Sequence, residues 1–320
     1  MLFFTPGLLQ PVPSTLSPVP ASPVPSSRLK AALPTLGILL AALISGLGWI
    51  PLHAVARAGI AGLWITLAVV FVACLPLIPA LPALLSARGR DRRDLAWIGG
   101  LIGVAYAFYT ASLTTTDVAR AILLFYIAPV WGTLLEVFVL RRPLTPLRVA
   151  SLALGAAGLA TILGIGADFS AGVKLGDVLA LLSGILWSIG LLFVFRREGA
   201  GVAVQSAALA LGALAGAAIL ALWLEPAPFP HPAAWVDALP ALLVAGLLFV
   251  LPLWVLSLWA GRRISPARTT LIFMAEVCVG VGSAALWAGQ AFGWREAAGT
   301  VLVLAAAAVE FRPGVERRRP

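Results

Sequence analysis

Charge is what this sequence has least of. Only 11% of its 320 residues are charged, against about 25% in a soluble domain, so an ordinary water-exposed surface is excluded. Cysteine and histidine number two each. Cys74 and Cys278 lie in apolar runs, where thiols pack as small hydrophobes, and His53 and His231 lack metal-ligand spacing. Neither a disulfide framework nor a metal centre follows, and no cofactor is expected. No glycine-rich phosphate loop is visible, so this chain alone does not drive ATP-dependent pumping. The acids Asp91, Asp94, Asp117, Asp168, Asp177 and Asp237 fall mostly in loops and form no paired motif, which argues against an enzyme.

What is abundant is apolar length. Apolar residues make up 61% of the chain. They form continuous runs rich in Ala, Leu and Gly, each long enough for one or two spans of roughly 20 residues. Such runs satisfy their backbone groups in lipid only as helices or closed barrels, and continuity without alternation favours helices. Basic residues gather in knots between the runs, as in Arg88-Gly89-Arg90-Asp91-Arg92-Arg93, Arg141-Arg142, Arg196-Arg197, Arg262-Arg263 and Arg317-Arg318-Arg319. The net charge of +9 invites a nucleic-acid reading. Cytoplasmic loops enriched in Lys and Arg explain it better, so no nucleic-acid partner is expected.

The reading is an all-α polytopic membrane protein with ten transmembrane helices. Spans are expected near 34–54, 59–80, 95–115, 119–140, 148–167, 177–195, 202–224, 238–259, 267–287 and 296–311. Residues 1–33, rich in Pro and Ser, read as a disordered cytoplasmic tail, and 312–320 as a basic one. Between them, 34–167 and 177–311 form two five-helix repeats. With the N-terminus inside, 18 of the 22 Lys and Arg fall on the cytoplasmic side. The chain is therefore placed in the cell membrane with both termini cytoplasmic.

The repeats are legible as residues. Ser45-Gly46-Leu47-Gly48-Trp49 recurs as Ser183-Gly184-Ile185-Leu186-Trp187. Ala119-Arg120, Leu123 and Phe125 recur as Ala267-Arg268, Leu271 and Phe273 at an offset of 148, which also relates Gly132 to Gly280. An odd number of spans per copy inverts the second copy in the membrane, a construction found in secondary transporters.

At these residues the chain resembles the drug/metabolite transporter superfamily, specifically the ten-helix EamA-type transporters, over roughly 35–311. Ala119 to Trp131 looks like the family's fourth helix, with Pro129 near its centre. Leu144-Thr145-Pro146-Leu147-Arg148 looks like the entry to helix five, and Ile264 to Val277 is similar to helix nine. The family often has Glu-Pro where this chain has Glu276-Val277, and Gly-Glu where it has Arg141-Arg142 and Gly289-Gln290. The resemblance implies a carrier of small organic metabolites or drugs, usually an exporter, working by alternating access in a lipid bilayer. A membrane-embedded enzyme and a structural or assembly membrane protein are the alternatives.

Glu276 is the sharpest site candidate. It lies about 15 Å into span nine, half of a roughly 30 Å hydrocarbon core. An ionisable group there costs several kcal/mol unless it faces a polar cavity or a partner. It is read as binding a cationic solute or a coupling proton, with a neutral packing glutamate as the alternative. The repeat-equivalent residue is Ala128, so an asymmetric site is expected. Glu136 reads as a snorkelling acid satisfied by Arg141 or Arg142. Tyr106, Tyr126, Trp187 and Trp254 are the aromatic candidates for a cavity wall. Pro129 is the candidate hinge or cavity wall in span four.

Overall fold

The computed structural model describes residues 25–116, 118–163, 172–196, 200–225, 227–287 and 292–310. Among them, regular structure is helical and forms ten spans. Helix α1 runs Pro25–Leu47 and continues as Trp49–Arg57. Then come α2 (Gly62–Ser86), α3 (Gly89–Ile98 extending to Val104–Thr115) and α4 (Val118–Phe125 and Ala128–Phe138). The first half closes with α5 (Pro146–Ile162). The second half holds α6 (Leu175–Arg196), α7 (Val202–Leu224), α8 (Pro232–Gly261), α9 (Pro266–Phe273 and Ala275–Trp287) and α10 (Trp294–Glu310). Eight are long and apolar enough to cross a membrane on length and composition alone, while α5 and α10 have 17 residues each.

The described ends of these helices lie within six residues of the expected spans, with one larger difference at the start. Helix α1 begins at Pro25, inside the segment expected to be a disordered tail. Proline's fixed φ suits a first helical turn, where its missing N–H costs nothing. Residues 1–24 and 312–320 of the expected tails, the last residues of span five and Gly289-Gln290 lie outside the described residues.

Exchanging the halves maps neighbours onto neighbours. Helix α1 packs on α8 and α9, and α6 packs on α3 and α4. Helix α3 packs on α7, and α8 on α2. The pairs α2–α7, α4–α9 and α5–α10 each join a helix to its own counterpart. Five spans per half make the second half run opposite to the first. Irregularities repeat as well. A π-helical stretch sits at Gly99–Gly103 in α3 and at Val244–Val250 in α8. The breaks in α4 and α9, after Phe125 and after Phe273, are 148 residues apart.

Small residues set the helix spacing, because in lipid the helices gain by close van der Waals approach rather than by burying apolar surface. Helices α5 and α10 cross at Gly158 and Gly299, where a Cβ on either glycine would come within 2.8 Å of the other's carbonyl oxygen. Serines add hydrogen bonds across the seams. Ser183 donates to the Ala105 carbonyl at 2.7 Å, and Ser151 to the Ala306 carbonyl at 2.9 Å. The outer surface is apolar, with Phe138, Leu222 and Leu248 exposed, as a lipid-facing belt requires.

The closest approach gives a direct test. A Cβ on Gly212 would stand 1.9 Å from the Gly99 carbonyl oxygen, whereas one on Gly100 meets nothing within 4 Å. Gly212→Ala is expected to cost about 1–3 kcal/mol by overpacking, and Gly100→Ala close to nothing. Thermal unfolding in detergent would separate them; equal midpoints would refute the α3–α7 register.

Candidate functional site

Two broken helices meet at the centre of the bundle. In α4, Pro129 has no N–H to offer the Phe125 carbonyl, and the chain steps through Tyr126 and Ile127 before α4 resumes. Ser188 of α6 donates to the Ala128 carbonyl at 3.0 Å, and Gly184 lets α6 come close to the Phe125 carbonyl. Helix α9 breaks at the equivalent place without a proline. The Val277 N–H turns to the Met274 carbonyl at 3.1 Å, leaving the Phe273 carbonyl to another partner. That partner is Tyr126, whose hydroxyl lies 3.3 Å from it.

The same hydroxyl donates to Glu276 Oε2 at 2.9 Å. Tyr126 thus ties the break of one repeat to the acid that follows the break of the other. Glu276 is half-buried, on the wall of a cavity of about 670 Å³. Ser45 and Trp49 of α1, Tyr106 and Tyr109 of α3 and Phe249 of α8 share that wall. Glu276 is the one acidic side chain among the described lining residues, none of which is Lys or Arg. A concave, mostly apolar chamber with a few convergent polar groups is the usual form of a small-molecule site.

The cavity reaches one end of the bundle only. Its lining climbs from Glu276 to Trp49, Leu52 and His53 in α1, Leu113 in α3, Val118 in α4 and Ala284 in α9. At the opposite end, which carries the start of α1, the helices are shut. Arg268 donates to Thr35 Oγ1 at 3.0 Å. Glu136 Oε1 accepts the Ala267 N–H at 2.9 Å, and Arg142 and Arg148 stand 3.7 and 3.8 Å from its Oε2. The arginines beside Glu136 are thus Arg142 and Arg148 rather than Arg141, and its main partner is the first free N–H of α9.

The sequence candidates divide between the two halves. Glu276 and Tyr106 line the open cavity, and Tyr126 lies just beneath its floor. Trp254 is fully buried behind Tyr106, ring edge to face at 5.4 Å. Trp187 and Pro129 are buried on the closed side. A crevice too narrow for water, between Trp187, Phe273, Thr270 and Ala128, marks the seam there.

One functional-looking pair escaped the sequence reading. Arg120 and Asp177, expected only as separate charges at the ends of spans four and six, form a buried ion pair between α4 and α6 at the cavity end of the bundle. Asp177 also accepts from Thr116 Oγ1 at 2.7 Å and from the Lys174 N–H at 2.9 Å, while Arg120 donates to the Gly172 carbonyl at 3.0 Å. The repeated Ala-Arg dipeptide was the available signal.

The model of the EamA-like transporter family matches twice, over 33–164 and over 174–311. No curated protein matches the chain. A crystal structure of a protein with 22% sequence identity superposes with a TM-score of 0.66, covering 86% of this chain and 97% of the other. At that identity the likeness speaks for the fold.

Proposed function

This chain belongs to the EamA-like transporter family, and on that premise we propose that it is an exporter of small organic solutes, coupled to protons through Glu276. Membership makes it a multi-pass membrane carrier. Substrate class, direction and coupling are our reading. One observation supports it above the others. Among the described lining residues the cavity has a single acid, held by a hydroxyl from the opposite repeat, and the helix rise from the start of α9 sets it at about mid-membrane depth. An ionisable group at that depth is expensive to keep for packing alone. A carboxylate that must be neutralised before its cavity closes is suited to carry either a proton or a cationic solute. The tyrosines and Trp49 around it offer ring faces to an organic cation. With both termini in the cytoplasm, as the Lys and Arg distribution supports, this conformation is open to the outside and closed to the cytoplasm.

The test is proton flux. Purified protein would be reconstituted into proteoliposomes with a pH-sensitive dye inside. Tetraphenylphosphonium, choline and a set of zwitterionic and neutral amino acids would be added in turn. The expected result is proton movement driven by at least one organic cation, with none in protein-free liposomes. Solute flux without proton movement would overturn the coupling, and absence of flux for every class would overturn the solute assignment.

A further inference from the structure

Resting on the transport reading above, we propose that Trp254 and Ser257 form the solute-facing wall of a second cavity, on the closed side of the bundle. Glu136 holds that cavity shut in this conformation. The offset of 148 relates the open wall to a closed one. Tyr106 and Tyr109 line the cavity, and their counterparts on α8 are Trp254 and Ser257. Both are buried, at 1% and 2% exposure. Both carry a hydrogen-bonding atom, Trp254 Nε1 and Ser257 Oγ, with no partner among the described residues. Buried polar groups left unpaired in this way cost stability and call for an explanation. Three residues apart, the two lie on one face of α8. Two unpaired donors at the positions that correspond to an open cavity wall are what a pathway looks like when it is shut. Opened, they would offer N–H and O–H to a hydrogen-bond acceptor on the solute, such as a carbonyl or carboxylate oxygen.

The lock follows from the same comparison. Glu136 and Ala267 correspond to Ala284 and Ala119, and Gly132 corresponds to Gly280. On the closed side, a Cβ on Gly132 would meet the Ala267 backbone at 3.0 Å, and Glu136 caps the helix that begins there. A carboxylate accepting a helix-terminal N–H is charge-assisted and favoured by the helix dipole. On the open side, Ala284 has no group with which to cap α4, and a Cβ on Gly280 would meet only the Gly46 carbonyl oxygen, at an ordinary 3.6 Å, among the described residues. One end of the carrier therefore has a latch that the other lacks.

The experiment needs no transported solute. In a Cys74→Ala/Cys278→Ala background, Ser257→Cys and Ser45→Cys would each be labelled with an impermeant methanethiosulfonate, in right-side-out and inside-out vesicles. Ser45→Cys is expected to label from the cavity side, and Ser257→Cys slowly from the side that carries the start of α1. Glu136→Ala, which removes the cap and the arginine contacts, should speed Ser257→Cys labelling about tenfold, the equivalent of losing one charge-assisted hydrogen bond. Ser45→Cys labelling should slow under the same change. Glu136→Gln keeps the shape and a cap but loses the charge, and should have a smaller effect in the same direction. The proposal is overturned if Ser257→Cys stays unreactive from both sides, if it labels from the cavity side, or if both Glu136 variants leave the rates unchanged. Failure of the proton-flux test with success here would overturn the coupling and leave this pathway standing.

Discussion

Glu276→Gln abolishes the pH dependence of transport and slows it at least about tenfold, while the protein still purifies as a folded monodisperse species; that is the expected outcome in proteoliposomes across a pH series. The factor corresponds to losing one hydrogen bond or ion pair to a charged group, about 1.5–3 kcal/mol. Glutamine fills the same volume and can still accept from the Tyr126 hydroxyl, so the tie between the breaks of α4 and α9 survives. What it cannot do is gain or lose a proton, or pair with a cation. Loss of function with intact folding therefore separates the carboxylate's chemistry from its packing. A variant with the wild-type rate and pH profile would make Glu276 a structural residue and remove the basis of the proposed coupling.

The second large effect concerns stability. Arg120→Leu should destabilise the fold by about 3–5 kcal/mol, because it strands Asp177 as a buried, uncompensated charge. Among the described residues Asp177 would keep the Thr116 hydroxyl and the Lys174 N–H. Replacing both members by leucine should recover most of the loss, since a well-packed apolar pair often does as well as a buried ion pair. Thermal unfolding of the two single variants and the double variant forms the cycle. Additive losses in the double variant would show that the two residues act independently.

Much of this architecture was legible in the chain. Apolar runs of membrane length separated by arginine knots gave ten spans, because a bilayer imposes a length that a soluble core does not. The offset of 148 between Ala119-Arg120 and Ala267-Arg268 carried further than expected, since it also relates the breaks of α4 and α9 and brings the two π-helical stretches into overlap. Other features were hidden for physical reasons. Pro129 announced the break in α4, but α9 breaks at the same point over Val277, where no residue type signals it. Arg120 and Asp177 sit at helix ends, where charges are ordinarily solvated, and only the packing of α4 on α6 brings them together. The depth of Trp254 could be counted from the helix rise. Which side of the Tyr106 ring it occupies could not, because that depends on how far one half is tilted against the other. Helix α1 began early because a proline that ends helices in mid-span is welcome in a first turn.

The chamber above Glu276 has an osmotic meaning. Its volume of about 670 Å³ corresponds to at least some twenty waters at the density of the liquid. On the proposed alternating-access cycle, each closure returns that water to one compartment, and opening of the opposite side draws water from the other. The conformational equilibrium is thereby linked to water activity on each face separately. A polymer too large to enter, added on the cavity side alone, removes water from a chamber it cannot fill and drives the carrier toward its other state.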